Sequence, residues 1–269
     1  MSCLDCAFCR SGKPNLCDNV RLLGVYPTNG ALQDYLVHPA KLVHKLPDSI
    51  SFTEGALLEP LSVAIHGIRD ARPLLGGAAL ICGAGAVGLL TLAVARASGA
   101  HPLIITDVEP TRLELARRIV PQCIIYEVKR NSEPEENAKA IRALCGSTEC
   151  SAPEVVLECS GVDSSAMVGF HAVRKGGKLV AIGVGNACFD NFPSGLLMSK
   201  ALSVKYSLYY HDTWPTGIAL ITGGLINIKP IVTNVFPLEK AAEAFQLAAD
   251  PMGGSLKVQI VDETNIGSG

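Results

Sequence analysis

No run of lysine or arginine long enough to track a phosphate backbone occurs in these 269 residues, and 23 basic against 25 acidic side chains leave a net charge of −2. Nucleic acid is therefore not expected as a partner. The N-terminus has no positive region leading into an apolar one, so no signal peptide is expected and the protein is placed in the cytoplasm. There is no internal repeat beyond the two halves of one α/β unit, no low-complexity segment apart from the Gly-Ser end, and no His-x-x-x-His pair. The uncharged stretch Pro73–Ala95 could cross a bilayer by hydropathy alone. Its five glycines, Gly76, Gly77, Gly83, Gly85 and Gly88, fit a buried strand, turn and helix better, so no membrane is expected.

What is present is apolar mass and cysteine. With 48% hydrophobic and 18% charged residues the chain can bury a large core and form more than one domain. Four of its ten cysteines, Cys3, Cys6, Cys9 and Cys17, crowd into the first seventeen residues. The other six, Cys82, Cys123, Cys145, Cys150, Cys159 and Cys188, are dispersed and read as small core residues in a reducing compartment.

From Ala78 onward short apolar runs alternate with amphipathic ones. The pattern predicts strands at Ala78–Cys82, Pro102–Asp107, Gln122–Tyr126, Glu154–Cys159, Gly177–Gly183 and Ala201–Ser207. Helices are predicted at Ala86–Ser98, Pro110–Arg118, Ser132–Leu144 and Asp163–Val173. Strands separated by helices imply a doubly wound parallel sheet of the Rossmann kind. Residues 1–68 read as a separate loop-rich domain with short strand candidates such as Leu32–His38 and a helix at Leu61–Ala71. Residues 69–207 hold the sheet, and residues 208–269 form a tail that could return to the first domain: strand Ile231–Pro237, helix Leu238–Ala249 and strand Leu256–Val261.

Gly83-Ala84-Gly85-Ala86-Val87-Gly88 fits G-x-G-x-x-G between a strand and a helix. Gly83 permits the tight turn, Gly85 lets a pyrophosphate approach the backbone, and Gly88 lets helix and strand pack closely. The helix N-terminus then faces the phosphates. Nineteen residues past Gly88, Asp107 ends the next strand, where a carboxylate accepts from ribose hydroxyls and repels a 2′-phosphate. That favours NAD over NADP. A purely structural glycine turn is the alternative, and Arg112 is either a neighbour of the adenine or ribose or a solvated helix residue.

The Cys-x2-Cys-x2-Cys-x7-Cys spacing suits tetrahedral zinc with no open position, hence a structural ion. A disulfide framework and a nucleic-acid finger are the alternatives. The finger is disfavoured because only Arg10 and Lys13 lie between the cysteines, opposed by Asp5 and Asp18. Glu59 lies next to a helix start, where a first-turn carboxylate needs no function. His66 reads as a packing residue.

Taken in order, the cysteine loop, Gly55–Val63, Gly83–Gly88, Thr106-Asp107 with Thr111-Arg112-Leu113, Glu158–Gly161, Gly176-Gly177, Thr213-Trp214-Pro215 and Pro237–Ala241 resemble zinc-containing medium-chain dehydrogenases of the sorbitol, xylitol and arabinitol type. The resemblance implies a GroES-like, β-rich catalytic domain, here partial, built from both chain ends around a Rossmann domain. It implies oxidation of a secondary alcohol of a polyol to a ketone with NAD as hydride acceptor and zinc at the alcohol oxygen. It makes Glu59 the acidic residue of the catalytic metal site, on the zinc or on its water. Val87, Asp107 and Arg112 would contact NAD, with Ile182-Gly183-Val184 beside the nicotinamide and Leu208-Tyr209 near the domain junction. A homo-oligomer could form by pairing Ala201–Ser207 across a twofold axis.

Two departures accompany it. The family's catalytic cysteine and Gly-His-Glu ligands precede the cysteine loop, whereas this sequence opens at Met1-Ser2-Cys3, so a truncated and inactive form is expected. The family's Phe-Arg-Tyr before Thr-Trp-Pro is replaced by Leu208-Tyr209-Tyr210, which leaves secondary alcohols other than polyols open. A non-catalytic module binding NAD and one zinc is the competing reading.

Overall fold

The computed structural model describes residues 1–33, 35–73, 75–186, 188–250 and 254–262. Along the chain run α1 (Ala7–Arg10), α2 (Phe52–Gly55), α3 (Leu58–Ala71), β1 (Ala79–Cys82), α4 (Ala86–Ala97), β2 (Leu103–Asp107), α5 (Pro110–Ile119) and β3 (Ile124–Glu127). There follow α6 (Pro134–Cys145), β4 (Val155–Glu158), α7 (Asp163–Ala172), β5 (Lys178–Ala181), α8 (Ser194–Ser199), β6 (Ser203–Tyr206), α9 (Trp214–Thr222), β7 (Asn234–Pro237), α10 (Ala241–Ala249) and β8 (Val258–Val261).

β1, β2 and β4 are buried at every position, as apolar runs must be when helices cover both faces of a sheet, and polar side chains enter them only at their C-terminal ends, Thr106, Asp107 and Glu158. The six strands are parallel in the order β3-β2-β1-β4-β5-β6, the doubly wound arrangement. Alternate residues feed two cores. Ile81, Ile105 and Leu157 pack with α3, α4 and α5, while Leu80, Ile104 and Val156 pack with α6 and α7. Each fully buried Leu or Ile contributes about 1.5–3 kcal/mol, so the sheet is where the chain's stability is concentrated.

Pro110 and Pro134 open α5 and α6, where a missing N–H costs nothing. The same physics moves one predicted boundary. α3 begins at Leu58, not after Pro60, because the amides of a first helical turn lack intrahelical acceptors and tolerate proline there. Glu59 therefore sits within the first turn rather than ahead of it.

Two further expectations change. No strand occurs among the described residues of 32–38, which run as irregular backbone on the surface. The segment expected as strand Ile231–Pro237 begins with a 3-10 turn at Lys229–Ile231, since Pro230 cannot donate to a ladder, and pairs only from Asn234. β7 pairs in parallel with β8, and Gln259 Nε2 donates to the carbonyl of Thr53 at 3.0 Å, bringing the chain's end back against α2. The Gly-Ser end lies outside the described residues. No helix among the described residues is long and apolar enough to cross a membrane.

Candidate functional site

Turns at the C-terminal ends of β1, β2 and β4 surround a cleft of about 290 Å³. Gly83 takes φ +97°, and a Cβ there would come within 3.1 Å of Ser160. Gly88 carries α4 against that turn so closely that a Cβ would lie 1.9 Å from the Gly83 carbonyl oxygen. Around Gly85 a Cβ would meet nothing within 4 Å. The middle glycine thus borders open space, the shape of a backbone cradle that a phosphate group can approach.

Asp107 is 8% exposed at the end of β2. Its Oδ2 accepts from the N–H of Ala84 at 2.7 Å and its Oδ1 from the N–H of Glu109 at 2.9 Å. A carboxylate offers about four acceptor positions, so two remain for hydroxyls in the cleft. Gly83 and Asp107 are the predicted residues that line this cleft; Arg112 is half-buried on α5 and does not.

The opposite wall was not foreseen. Lys129, Arg130 and Ser132 come from the loop after β3, which carries no motif. Asn137 fixes that loop: its Oδ1 accepts from the N–H of Lys129 at 3.0 Å and the Tyr126 hydroxyl at 2.9 Å, while its Nδ2 donates to the Lys129 carbonyl at 3.2 Å. Arg130 pairs with Glu109 at 3.2 Å. A buried asparagine one turn into a helix after an irregular stretch was the available signal.

Ile182 is buried, Gly183 half-buried and Val184 exposed beyond β5. Gly183 packs on the Ser160-Gly161 turn, where a Cβ would meet the Gly161 nitrogen at 2.2 Å. Val87 is half-buried at the start of α4. Leu208 and Tyr209 are exposed, the latter at φ +51°, and Asn15 of the cysteine loop donates to the Leu208 carbonyl at 3.0 Å.

Glu59 keeps one open face while its inner side is enclosed, and this partial burial pushes its proton affinity above the ordinary carboxylate value against the pull of Lys257 and a hydrogen bond from Tyr210. Burial and the neighbouring Glu59 push the Tyr210 hydroxyl up as well, so the phenol stays a donor. Tyr210 meets Trp214 edge-on at 5.7 Å, and His44 stacks on Trp214 at 6.2 Å. Glu59, Tyr210, Trp214 and His44 thus form a chain of contacts, with the carboxylate at one end and three rings following it. His66 is buried two turns along α3, against His211 at 5.0 Å and Asp70 at 3.8 Å.

The ligand atoms of Cys3, Cys6, Cys9 and Cys17 all lie within 4.8 Å of one another. Cys3 Sγ and Cys9 Sγ are 3.9 Å apart, close to the ~3.8 Å edge of a tetrahedron with Zn–S bonds of about 2.3 Å. Amide N–H groups of Asp5 and Cys6 donate to Cys3 Sγ and, with the Cys17 thiol, hold the Cys3 thiol down at about 6. Burial and hydrogen bonds that the Cys9 thiol donates to Cys6 and Cys17 push Cys9 up to about 12. Four thiols so close cannot all ionise by themselves, and a divalent soft cation fits the set. This is the single metal cluster found among the described residues, and Glu59 is not part of it. Of the dispersed cysteines, Cys82 and Cys123 are buried as expected, whereas Cys150 and Cys188 are exposed on surface turns.

Residues 86–223 match the family model of zinc-binding dehydrogenases, and residues 1–48 match the alcohol dehydrogenase GroES-like domain. An L-arabinitol 4-dehydrogenase from Aureobasidium melanogenum is 42% identical over 258 residues, covering 96% of this chain and 69% of the relative. A sorbitol dehydrogenase from Ovis aries is 40% identical over 253 residues, covering 94% and 69%. Among solved structures, the alcohol dehydrogenase of Thermus sp. ATN1 superposes with a TM-score of 0.86 at 28% identity, covering 97% of this chain and 77% of that one. The chain therefore belongs to the zinc-binding medium-chain alcohol dehydrogenases, alongside the polyol dehydrogenases.

Proposed function

We propose that this chain binds NAD over the C-terminal ends of β1, β2, β4 and β5 and that its alcohol side is built around Glu59, for oxidation of a secondary alcohol of a polyol. The observation carrying this is Asp107, fixed by two backbone amides beside an unobstructed Gly85. NAD, when bound, takes up the hydride, and zinc polarises the alcohol oxygen.

The rest falls to the chain's own residues. Gly83, Gly85 and Gly88 let the pyrophosphate reach the α4 N-terminus. The two free acceptor positions of Asp107 take ribose hydroxyls, and its charge repels a 2′-phosphate, giving NAD over NADP. Arg112 and Val87 flank the adenosine and pyrophosphate, Ile182, Gly183 and Val184 the nicotinamide, and Leu208 and Tyr209 the junction. Glu59, its proton affinity raised by desolvation and a phenol donor on one side, would be the carboxyl group that gives or takes a proton on the alcohol side. Cys3, Cys6, Cys9 and Cys17 hold a structural zinc. In this reading residues 1–68 and 208–269 make the alcohol side, and residues 69–207 the dinucleotide side. The half-exposed edge strand β6 would pair between two copies.

A non-catalytic, cofactor-binding role is supported by one observation: among the described residues no cysteine or histidine joins Glu59 in a metal cluster. Fluorescence titration separates the possibilities at the first step. NADH emission should rise on binding and fall again when NAD or ADP-ribose is added; no rise at all would sink the dinucleotide reading.

A further inference from the structure

Glu158, the last residue of β4, is 3% exposed. Its Oε1 accepts from the N–H of Ser160 at 2.9 Å, from the Ser160 hydroxyl, and from the Ser165 hydroxyl at 3.1 Å; its Oε2 accepts from the N–H of Gly161 at 3.0 Å. Both oxygens are filled by donors, the arrangement of an ionised carboxylate. All four donors are neutral, and no ion pair among the described residues includes Glu158. A neutral acceptor could pin the same turn at a smaller desolvation cost, so a buried negative charge without a cation asks for a ligand that supplies one.

Its position says which. The Ser160-Gly161 turn held by Glu158 is the one on which the turn after β5 rests: Gly161 takes φ +72°, a Cβ on it would meet the Val184 carbonyl oxygen at 2.3 Å, and a Cβ on Gly183 would meet the Gly161 nitrogen at 2.2 Å. The carboxylate thus lies one backbone layer from Gly183-Val184. Its charge is felt on both faces of the sheet: after burial, Glu158 is the next cause raising the thiols of Cys82 and Cys159, the latter to about 12. NAD and NADH differ at the nicotinamide by one positive charge.

We propose that Glu158 biases the cofactor site toward the oxidised dinucleotide, by placing an uncompensated negative charge beneath the nicotinamide subsite formed by Gly183 and Val184. The proposal rests on the reading of Gly183-Val184 as that subsite. The cationic acceptor is held, and the neutral ring left after hydride uptake loses that attraction, which favours loading of NAD and release of NADH while making the bound acceptor a slightly weaker oxidant.

The test is calorimetric binding of NAD, NADH and ADP-ribose to the whole chain and its variants, reading the ratio of Kd for NADH to Kd for NAD. Glu158→Gln should lower this ratio about tenfold, the scale of one charge acting at roughly 10 Å through protein. ADP-ribose, which has no nicotinamide, reports any general loosening, and Glu158→Asp keeps the charge and should keep the ratio even where every affinity falls. Should Glu158→Gln not fold, Ser165→Ala removes one neutral donor from the carboxylate and should move the ratio the other way, about twofold. An unchanged ratio in Glu158→Gln, or one that follows ADP-ribose, or in its absence an unchanged or lower ratio in Ser165→Ala, would overturn the proposal. If the unmodified chain binds NAD and NADH no differently from ADP-ribose, the subsite assignment itself fails and the proposal with it.

Discussion

Above the sheet, Asp107 and Glu158 are buried carboxylates whose oxygens are occupied by backbone amides; in the first fifty residues, Tyr26, Tyr35 and Val37 are 96%, 89% and 96% exposed, and no strand occurs among those described. The proposed cofactor side is fixed by its own strands and apolar core. The proposed alcohol side hangs on four cysteines, a few long-range hydrogen bonds such as Asn15 to Leu208 and Gln259 to Thr53, and one helix, α3, that it shares with the sheet's core. The difference teaches that the two regions draw their order from different sources, a strand-built apolar core in one and a cysteine cluster with a few long-range contacts in the other. The two regions should respond separately to perturbation.

The largest expected effect lies in the cysteine loop. Cys6→Ser should reduce zinc from one per chain to none, with proteolysis opening residues 1–20 while the sheet's melting transition survives, because metal ligation supplies on the order of 10 kcal/mol of local folding energy. Retained zinc would contradict the assignment. Next come the glycines. Gly88→Ala drives a Cβ into the Gly83 carbonyl and should cost about 2–3 kcal/mol by thermal melting, whereas Gly85→Ala, meeting nothing within 4 Å, should leave the melting curve alone yet weaken NAD about tenfold. Equal behaviour of the two variants would remove the cradle.

Asp107→Ser should erode a preference for NAD over NADP of at least about tenfold, roughly 1.4 kcal/mol. If the unmodified chain binds both equally, the carboxylate does not face the ribose. The smallest effect concerns Glu59. A carboxylate whose folded proton affinity is raised destabilises the fold when ionised, fully above its raised value and not at all below the unfolded value near 4.3. Glu59→Gln should therefore raise the melting temperature slightly at pH 7 and lose that gain near pH 4; because the group is partly open to solvent, the change should be small.

The parts legible in the sequence were those with a local rule. Apolar runs gave the strands, G-x-G-x-x-G with Asp107 gave one wall of the cleft, and Cys-x2-Cys-x2-Cys-x7-Cys gave a cluster the structure closes to within 4.8 Å. What escaped depends on contacts distant in sequence. Tyr210 reaches Glu59 from 151 positions away, and Asn137 orders Lys129 from another element. Glu158 lay inside the expected strand Glu154–Cys159 with no role of its own, because nothing local says that a buried acid will have no cation. Leu32–His38 alternates plausibly but has nothing beside it to pair with among the described residues, and a strand without a neighbour leaves its amides to water.

The most direct measurement is made on this polypeptide alone, loaded with zinc, following NAD binding by calorimetry and NADH formation at 340 nm with sorbitol, xylitol and arabinitol. A zinc-polarised alcohol needs three protein ligands in place, and among the described residues no cysteine or histidine is grouped with Glu59. The account predicts NAD bound and no zinc-dependent NADH formed; appreciable zinc-dependent NADH from this chain would contradict it.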